Sequence, residues 1–168
     1  MQGHPHESQT VTDVGCAVLT VSDSRTPETD HSGRLIREAL AAAGHRVVDY
    51  AIVPDEPDQI AERVRRLVDD ADCRAILLTG GTGLSPRDST FEVVDGLLEK
   101  RLDGFGELFR AMSHLQIGSS AMLSRATAGT IGSTVVFSMP GSTGAVRLAL
   151  EKLILPELGH IVWLMGAD

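Results

Sequence analysis

The feature that most constrains the fold is a regular alternation of short apolar runs with amphipathic ones across the first eighty residues. Cys16-Ala17-Val18-Leu19-Thr20-Val21 is apolar along its length and closed by polar residues, as expected of a strand covered on both faces. Ser32 is placed to cap a helix carrying Leu35, Ile36, Ala39, Leu40 and Ala43 on one face, with Gly44 as its stop. Val47 to Val53 reads as a second strand, ended by Pro54. Asp58 begins a second helix with Ile60, Val64, Leu67 and Val68 on one side and charged residues on the other. Ala75-Ile76-Leu77-Leu78-Thr79 is the third strand and runs straight into Gly80-Gly81-Thr82-Gly83. Strand, helix, strand, helix, strand at this spacing predicts right-handed βαβ units and a parallel sheet flanked by helices.

The second half is less regular. Helices are expected over Thr90 to Leu98 and from about Phe105 to Leu115, and Thr134-Val135-Val136-Phe137-Ser138 reads as a further core strand. The helix from Ala145 to Leu155 is apolar on nearly every side, which predicts burial on two faces and a subunit contact in addition to the core. Residues 1–13 are polar and read as a flexible arm; residues 14–168 read as one domain.

Acidic side chains outnumber basic ones by 23 to 15, a formal net charge of −8. That balance argues against a nucleic-acid partner, whose phosphates call for a basic excess. An anionic small ligand would have to be held by local chemistry against an unfavourable overall field. Cys16 and Cys73 sit in apolar contexts and read as reduced core residues. No apolar block resembles a signal peptide, and none approaches the ~20 residues of a membrane span. The expected location is cytoplasmic. His31, His45, His114 and His160 share no metal-binding spacing; His4 and His6 in the arm offer at most incidental metal contact.

In an open parallel sheet, ligands bind beyond the carboxyl ends of the strands. Ser22-Asp23-Ser24-Arg25, Pro54-Asp55-Glu56, Thr79 to Asp88, and Pro140-Gly141-Ser142-Thr143-Gly144 all follow strands and converge on one rim. The glycine cluster can be a tight turn or a nest of backbone N–H groups for a phosphate. It matches neither the P-loop nor the dinucleotide fingerprint. Asp88 can cap the helix that follows, or bind a cation shared with the phosphate. Asp55 can serve turn chemistry, or be the second carboxylate for magnesium. Asp23 and Asp30 read as structural braces or caps. Ser124 and Arg125 offer a hydroxyl and a cation, though a surface ion pair explains the arginine equally well. No nucleophile motif is visible.

These segments resemble a known family. Thr79-Gly80-Gly81-Thr82-Gly83-Leu84-Ser85-Pro86-Arg87-Asp88-Ser89-Thr90 is similar to the signature of the MogA/MoaB proteins of molybdenum-cofactor biosynthesis. The likeness extends to Val21-Ser22-Asp23, Val53-Pro54-Asp55-Glu56, Gly104-Phe105-Gly106-Glu107, Leu123-Ser124-Arg125 and Ser138-Met139-Pro140-Gly141, with details nearer to MoaB. The resemblance covers Gly15 to Met165. It implies a three-layer α/β/α molybdopterin-binding domain, its sheet mostly parallel, that assembles as a homotrimer or homohexamer. The activity it implies is adenylyl transfer, with magnesium-ATP donating AMP to the terminal phosphate of molybdopterin and pyrophosphate leaving. Asp55 and Asp88 match the family's aspartates and would be the catalytic and magnesium-binding pair. Thr79, Gly80, Gly81, Thr82, Gly83, Ser124, Pro140, Gly141, Ser142 and Gly144 would hold substrate. The sequence departs from the family's Thr-Pro-Glu with Thr90-Phe91-Glu92, which is expected to alter helix entry and leave metal binding in place. Two other readings stand beside the transferase. One is a MoaB-type protein that binds molybdopterin without transferring AMP. The other is a relative of the similar domain in CinA proteins, against which the short chain counts.

Overall fold

The computed structural model describes residues 9–166. A six-stranded sheet carries helices on both faces, in the strand order β2-β1-β3-β6-β5-β4. Its strands are β1 (Gly15–Val21), β2 (Arg46–Val53), β3 (Ala75–Thr79), β4 (Lys100–Arg101), β5 (Thr127–Ile131) and β6 (Thr134–Met139). β2, β1, β3 and β6 run parallel, and β5 and β4 add antiparallel to the far edge. The parallel half follows from the βαβ pattern. The antiparallel half was not visible in sequence, because Lys100–Arg101 is a two-residue exposed strand and Thr127–Ile131 is small and partly polar.

Strand alternation divides the core. Cys16, Val18, Leu77 and Phe137 face a cluster with Ile36 and Leu40 of α1 (His31–Ala42), Phe109 of α4 (Asp103–Ile117), and Val146 of α5 (Thr143–Ala149). Ala17, Leu19, Ile76 and Leu78 face the opposite cluster, with Ile60 and Val64 of α2 (Pro57–Val68) and Val94 of α3 (Thr90–Leu97). Successive residues on a strand point to opposite sides, so one continuous apolar run supplies both layers. Phe105 meets Phe137 edge-on at 5.3 Å between ring centroids, a favoured aromatic geometry.

Several local expectations change. Of the two candidate caps of α1, Ser32 and Asp30, the cap is Asp30, whose carboxylate accepts from the Gly33 N–H at 2.9 Å. Pro57, at the first position of α2, starts that helix ahead of Asp58, since a proline there forfeits no intrahelical bond. The helix expected over Ala145 to Leu155 continues through a π turn (Leu150–Ile154) into α6 (Leu155–Gly166). Pro156 has no N–H to donate, and just before it the Leu155 N–H reaches back five residues to the Leu150 carbonyl.

The apolar faces of this helix are also spent differently. Val146, Leu148, Ala149, Leu150 and Ile154 are buried by the chain itself, and Arg147, Glu151 and Lys152 point outward. A subunit contact is not needed to explain its composition. Exposed apolar side chains concentrate instead on α4 and the 3-10 turn after it (Gly118–Leu123), at Leu108, Leu115, Ile117, Met122 and Leu123, with Leu84 and Leu164 exposed elsewhere.

Of the expected flexible arm, residues 1–8 lie outside the described residues, with His4 and His6 among them. Residues 9–13 are docked. The Val11 N–H donates to the Gly159 carbonyl at 3.0 Å, Val11 packs on the core, and Asp13 pairs with Arg46. No described helix is long and apolar enough to cross a membrane.

Candidate functional site

Because β1, β3 and β6 are parallel neighbours, their carboxyl ends share one rim. The chain leaves β1 toward β2 on one side and returns to β3 on the other, so the crevice between β1 and β3 is where an open sheet of this kind takes ligands. A cleft of about 660 Å³ opens there. Its walls come from Thr20 to Arg25 after β1, Asp30 to Ser32 at the start of α1, Thr79 and Gly80 after β3, and Gly141 to Thr143 after β6. A second hollow of about 330 Å³ lies against Gly80 to Gly83, Asp88, Ser124, Pro140 and Gly141. Gly80 and Gly141 line both, so these two touching backbones form the wall between them.

The glycine loop has left-handed backbone at Gly80 (φ 97°) and Gly81 (φ 64°). A Cβ on Gly80 would lie 2.4 Å from the Val21 carbonyl, and one on Gly81 would lie 2.1 Å from Thr90 Oγ1 and 2.6 Å from Asp55 Oδ2. Only glycine fits either place. The N–H groups of Gly81, Thr82, Gly83 and Leu84 donate to no group among the described residues. Unspent amides in a left-handed turn form a concave site for an anion.

The loop after β6 is built in the same way. Thr79 Oγ1 donates to the Pro140 carbonyl at 3.1 Å, and Ser32 Oγ donates to the Gly141 carbonyl at 2.7 Å. Ser142 caps α5 by accepting from the Ala145 N–H, and Gly144 lies in the first turn of that helix.

Asp88 lines the smaller hollow, where its Oδ2 accepts from the Ser85 N–H at 3.2 Å. The N-cap position of α3 belongs to Ser89, so Asp88 is not its cap. Asp55 is buried beneath the loop at 5% exposure and borders neither space. Its Oδ1 accepts from both the N–H (3.0 Å) and the Oγ–H (2.6 Å) of Ser89. Of the two aspartates, Asp88 therefore borders one of these spaces and Asp55 neither.

Among the described residues no three His, Cys, Asp or Glu side chains gather as a metal site. Magnesium needs less, taking one or two carboxylates with phosphate oxygens and water. The donors here are all oxygen, and Thr90 Oγ1, fully buried against Gly81, has no hydrogen-bond partner among the described residues. The cradle fits a small hard cation, with Asp88 the carboxylate that reaches the hollow.

Two arginines near the loop, Arg87 and Arg125, are committed to protein partners. Arg87 makes a two-pronged contact with Asp23 (2.8 and 3.0 Å) and reaches Glu56 at 2.7 Å. That guanidinium holds the Asp23 carboxyl below the usual carboxylate range, helped by the Asp55 N–H at Asp23 Oδ1. Arg125 binds the Thr82 and Gly83 carbonyls and Glu92, and keeps Glu92 ionised to lower pH than usual. Arg25 is different: it borders the large cleft, its side chain donates to the Thr29 carbonyl, and it pairs with no carboxylate among the described residues.

Sequence reasoning missed Ser32 as a tether, Thr90 as a buried oxygen and Arg25 as the uncommitted cation. Only Arg25 carried a signal, its place directly after a strand. Ser124, expected at the site, does border the smaller hollow.

Comparison with known proteins follows this geometry. The family described as "Probable molybdopterin binding domain" matches residues 17–160. Molybdenum cofactor biosynthesis protein B of Bacillus cereus is 55% identical over 159 residues, 94% of each chain. A crystal structure of a Molybdenum cofactor biosynthesis protein B superposes with a TM-score of 0.91 at 54% identity, covering 94% of this chain and 98% of that one. The tungsten cofactor synthesizing protein MoaB of Pyrococcus furiosus gives a TM-score of 0.80 at 39% identity over 89% of this chain and 95% of its own. The chain thus belongs to the molybdopterin-binding domain family, in company with the MoaB proteins.

Proposed function

We propose that this chain acts in molybdenum-cofactor biosynthesis by binding molybdopterin and transferring AMP from ATP to its terminal phosphate. The relatives at 50–55% identity, all named Molybdenum cofactor biosynthesis protein B, support the pathway. The observation that carries the chemistry is the glycine loop: four unspent amides, with Asp88 at the opening, between two clefts that share one wall. One cleft suits the nucleotide and the other the pterin, with the reacting phosphates meeting over the loop.

The acceptor phosphate is itself a nucleophile, so no protein nucleophile is required. An oxygen of the pterin phosphate forms the new bond to the α-phosphorus of ATP as the bond to the β-phosphate oxygen breaks, and pyrophosphate leaves with that electron pair. The chain's part is positioning and charge stabilisation. The amides of residues 81–84 face the transferring group. Arg25 meets the polyphosphate from the larger cleft. Asp55 fixes Ser89, and through it the turn that presents Asp88. Magnesium, when bound at Asp88 with Asp55 and Thr90 behind the loop, would neutralise phosphate charge. The exposed apolar residues of α4 and the turn after it support a homo-oligomer, a trimer or a hexamer.

A second reading has one observation in its favour. Asp55 borders neither cleft and has one oxygen taken by Ser89, which leaves a single carboxylate at the opening and suits a protein that holds molybdopterin without transferring AMP. Incubation with molybdopterin, magnesium and ATP separates the two. The transferase yields adenylylated pterin; the binding protein yields a pterin complex and unchanged ATP.

A further inference from the structure

The glycine loop is gripped from behind by one side chain. Arg125 Nε donates to the Thr82 carbonyl at 2.9 Å, and its Nη2 donates to the Gly83 carbonyl. Its Nη1 pairs with Glu92 on α3. The guanidinium carbon lies 5.0 Å from the centroid of the Phe91 ring, within the range of a cation–π contact. All three guanidinium nitrogens are therefore engaged, with the Phe91 ring beside the group.

A trans peptide is planar, with its carbonyl and the following N–H on opposite sides. Arg125 draws the carbonyls of residues 82 and 83 toward itself. The N–H groups of Gly83 and Leu84 must then point away from it, and they are two of the amides that donate to nothing among the described residues. We propose that Arg125 is a positioning residue for anion binding, orienting the peptides of residues 82–84 so that their N–H groups face the bound phosphate. The proposal rests on the phosphate-site reading of the loop given above. Because Glu92 balances its charge, the contribution of Arg125 is geometric. A lysine keeps the charge but lacks the planar fork that reaches two successive carbonyls. Phe91 and Glu92 hold that fork in place, which gives the Phe91-Glu92 pair a role of its own; a proline at position 91 would offer no aromatic face.

The test uses the full chain, with inorganic pyrophosphate titrated calorimetrically and 15N order parameters measured without ligand. Arg125→Lys is expected to weaken pyrophosphate binding about tenfold. The order parameters of Gly83 and Leu84 are expected to fall from about 0.85 to below about 0.6. Phe91→Leu, which keeps an apolar contact, is expected to weaken binding about threefold. If the wild-type chain binds no pyrophosphate, the phosphate-site reading falls and the proposal falls with it. If the wild type binds and Arg125→Lys matches it, the proposal alone is overturned. A lower unfolding midpoint with unchanged pyrophosphate affinity would make Arg125 purely structural and overturn the proposal as well.

Discussion

Ser32 and Gly141, 109 residues apart in sequence, are joined by a 2.7 Å hydrogen bond from the serine hydroxyl to the glycine carbonyl. The bond ties the first turn of α1 to the loop after β6, on the wall between the two clefts. Ser32→Ala leaves that carbonyl without its donor, so a stability loss of about 1 kcal/mol is expected. Denaturant melts will read it. The loop should also loosen, raising the KM for ATP with less effect on kcat; Ser32→Thr, which restores a hydroxyl, should recover most of the loss.

Gly81 has no tolerable substitute. Alanine there must adopt φ near 64° and place its Cβ against Thr90 Oγ1 and Asp55 Oδ2. A destabilisation of about 2–4 kcal/mol is expected from left-handed strain and overpacking together. Gly104→Ala, where nothing lies within 4 Å of the added carbon, should be nearly neutral in the same thermal melt.

Arg25 and Arg87 should separate binding from architecture. Arg25→Ala is expected to raise the KM for ATP about tenfold, the loss of one charge-assisted contact, with the unfolding midpoint unchanged. Arg87→Ala should instead loosen the Asp23–Glu56 bracket and show first in the mobility of residues 85–89. Steady-state kinetics beside calorimetric melts will distinguish the two outcomes.

Alkali should destabilise the fold through Cys16, Cys73 and Tyr50. Burial pushes the Cys16 thiol up to about 12 and the Cys73 thiol up to about 11. The Tyr50 hydroxyl is pushed up to about 12, by burial first and then by its bond to the Asp30 carboxylate. The unfolded chain releases these protons first, from about pH 9 for the thiols and 10 for the phenol. The native state then holds more protons, so stability is fully present below pH 9 and declines as pH rises toward 12. Equilibrium unfolding across that range will measure the slope, and a thiol reagent should find neither cysteine until the chain unfolds.

How much of this could be read beforehand depended on burial. β1 and β3 are buried at every residue, and a fully buried strand writes itself as an unbroken apolar run. Lys100–Arg101 pairs only at the edge of the sheet and carries no such signature. The place of Asp88 and the glycine loop at the rim was legible, because both follow a strand with an apolar signature. The sequence offered Arg125 as a cation or a surface ion-pair partner, but its grip on backbone carbonyls some forty residues earlier was not legible, since carbonyls leave no mark in a sequence. The same holds for the Ser32 tether and for Asp55, whose place beneath the loop depends on how β2 and β3 flank β1. The acidic balance of the chain raised the question of how it could hold polyanions. The proposed function answers it locally, with backbone amides and the Arg25 side chain.

The most direct measurement is pyrophosphate release from molybdopterin, magnesium and ATP by the wild-type chain and by Asp88→Asn. Pyrophosphate should appear from the wild type in step with adenylylated pterin. In Asp88→Asn it should fall at least about a hundredfold, the loss of a group that stabilises transition-state charge, while the circular dichroism spectrum and unfolding midpoint stay those of the wild type. Tight pterin binding with no pyrophosphate from the wild-type chain, or full release from Asp88→Asn, would contradict the account.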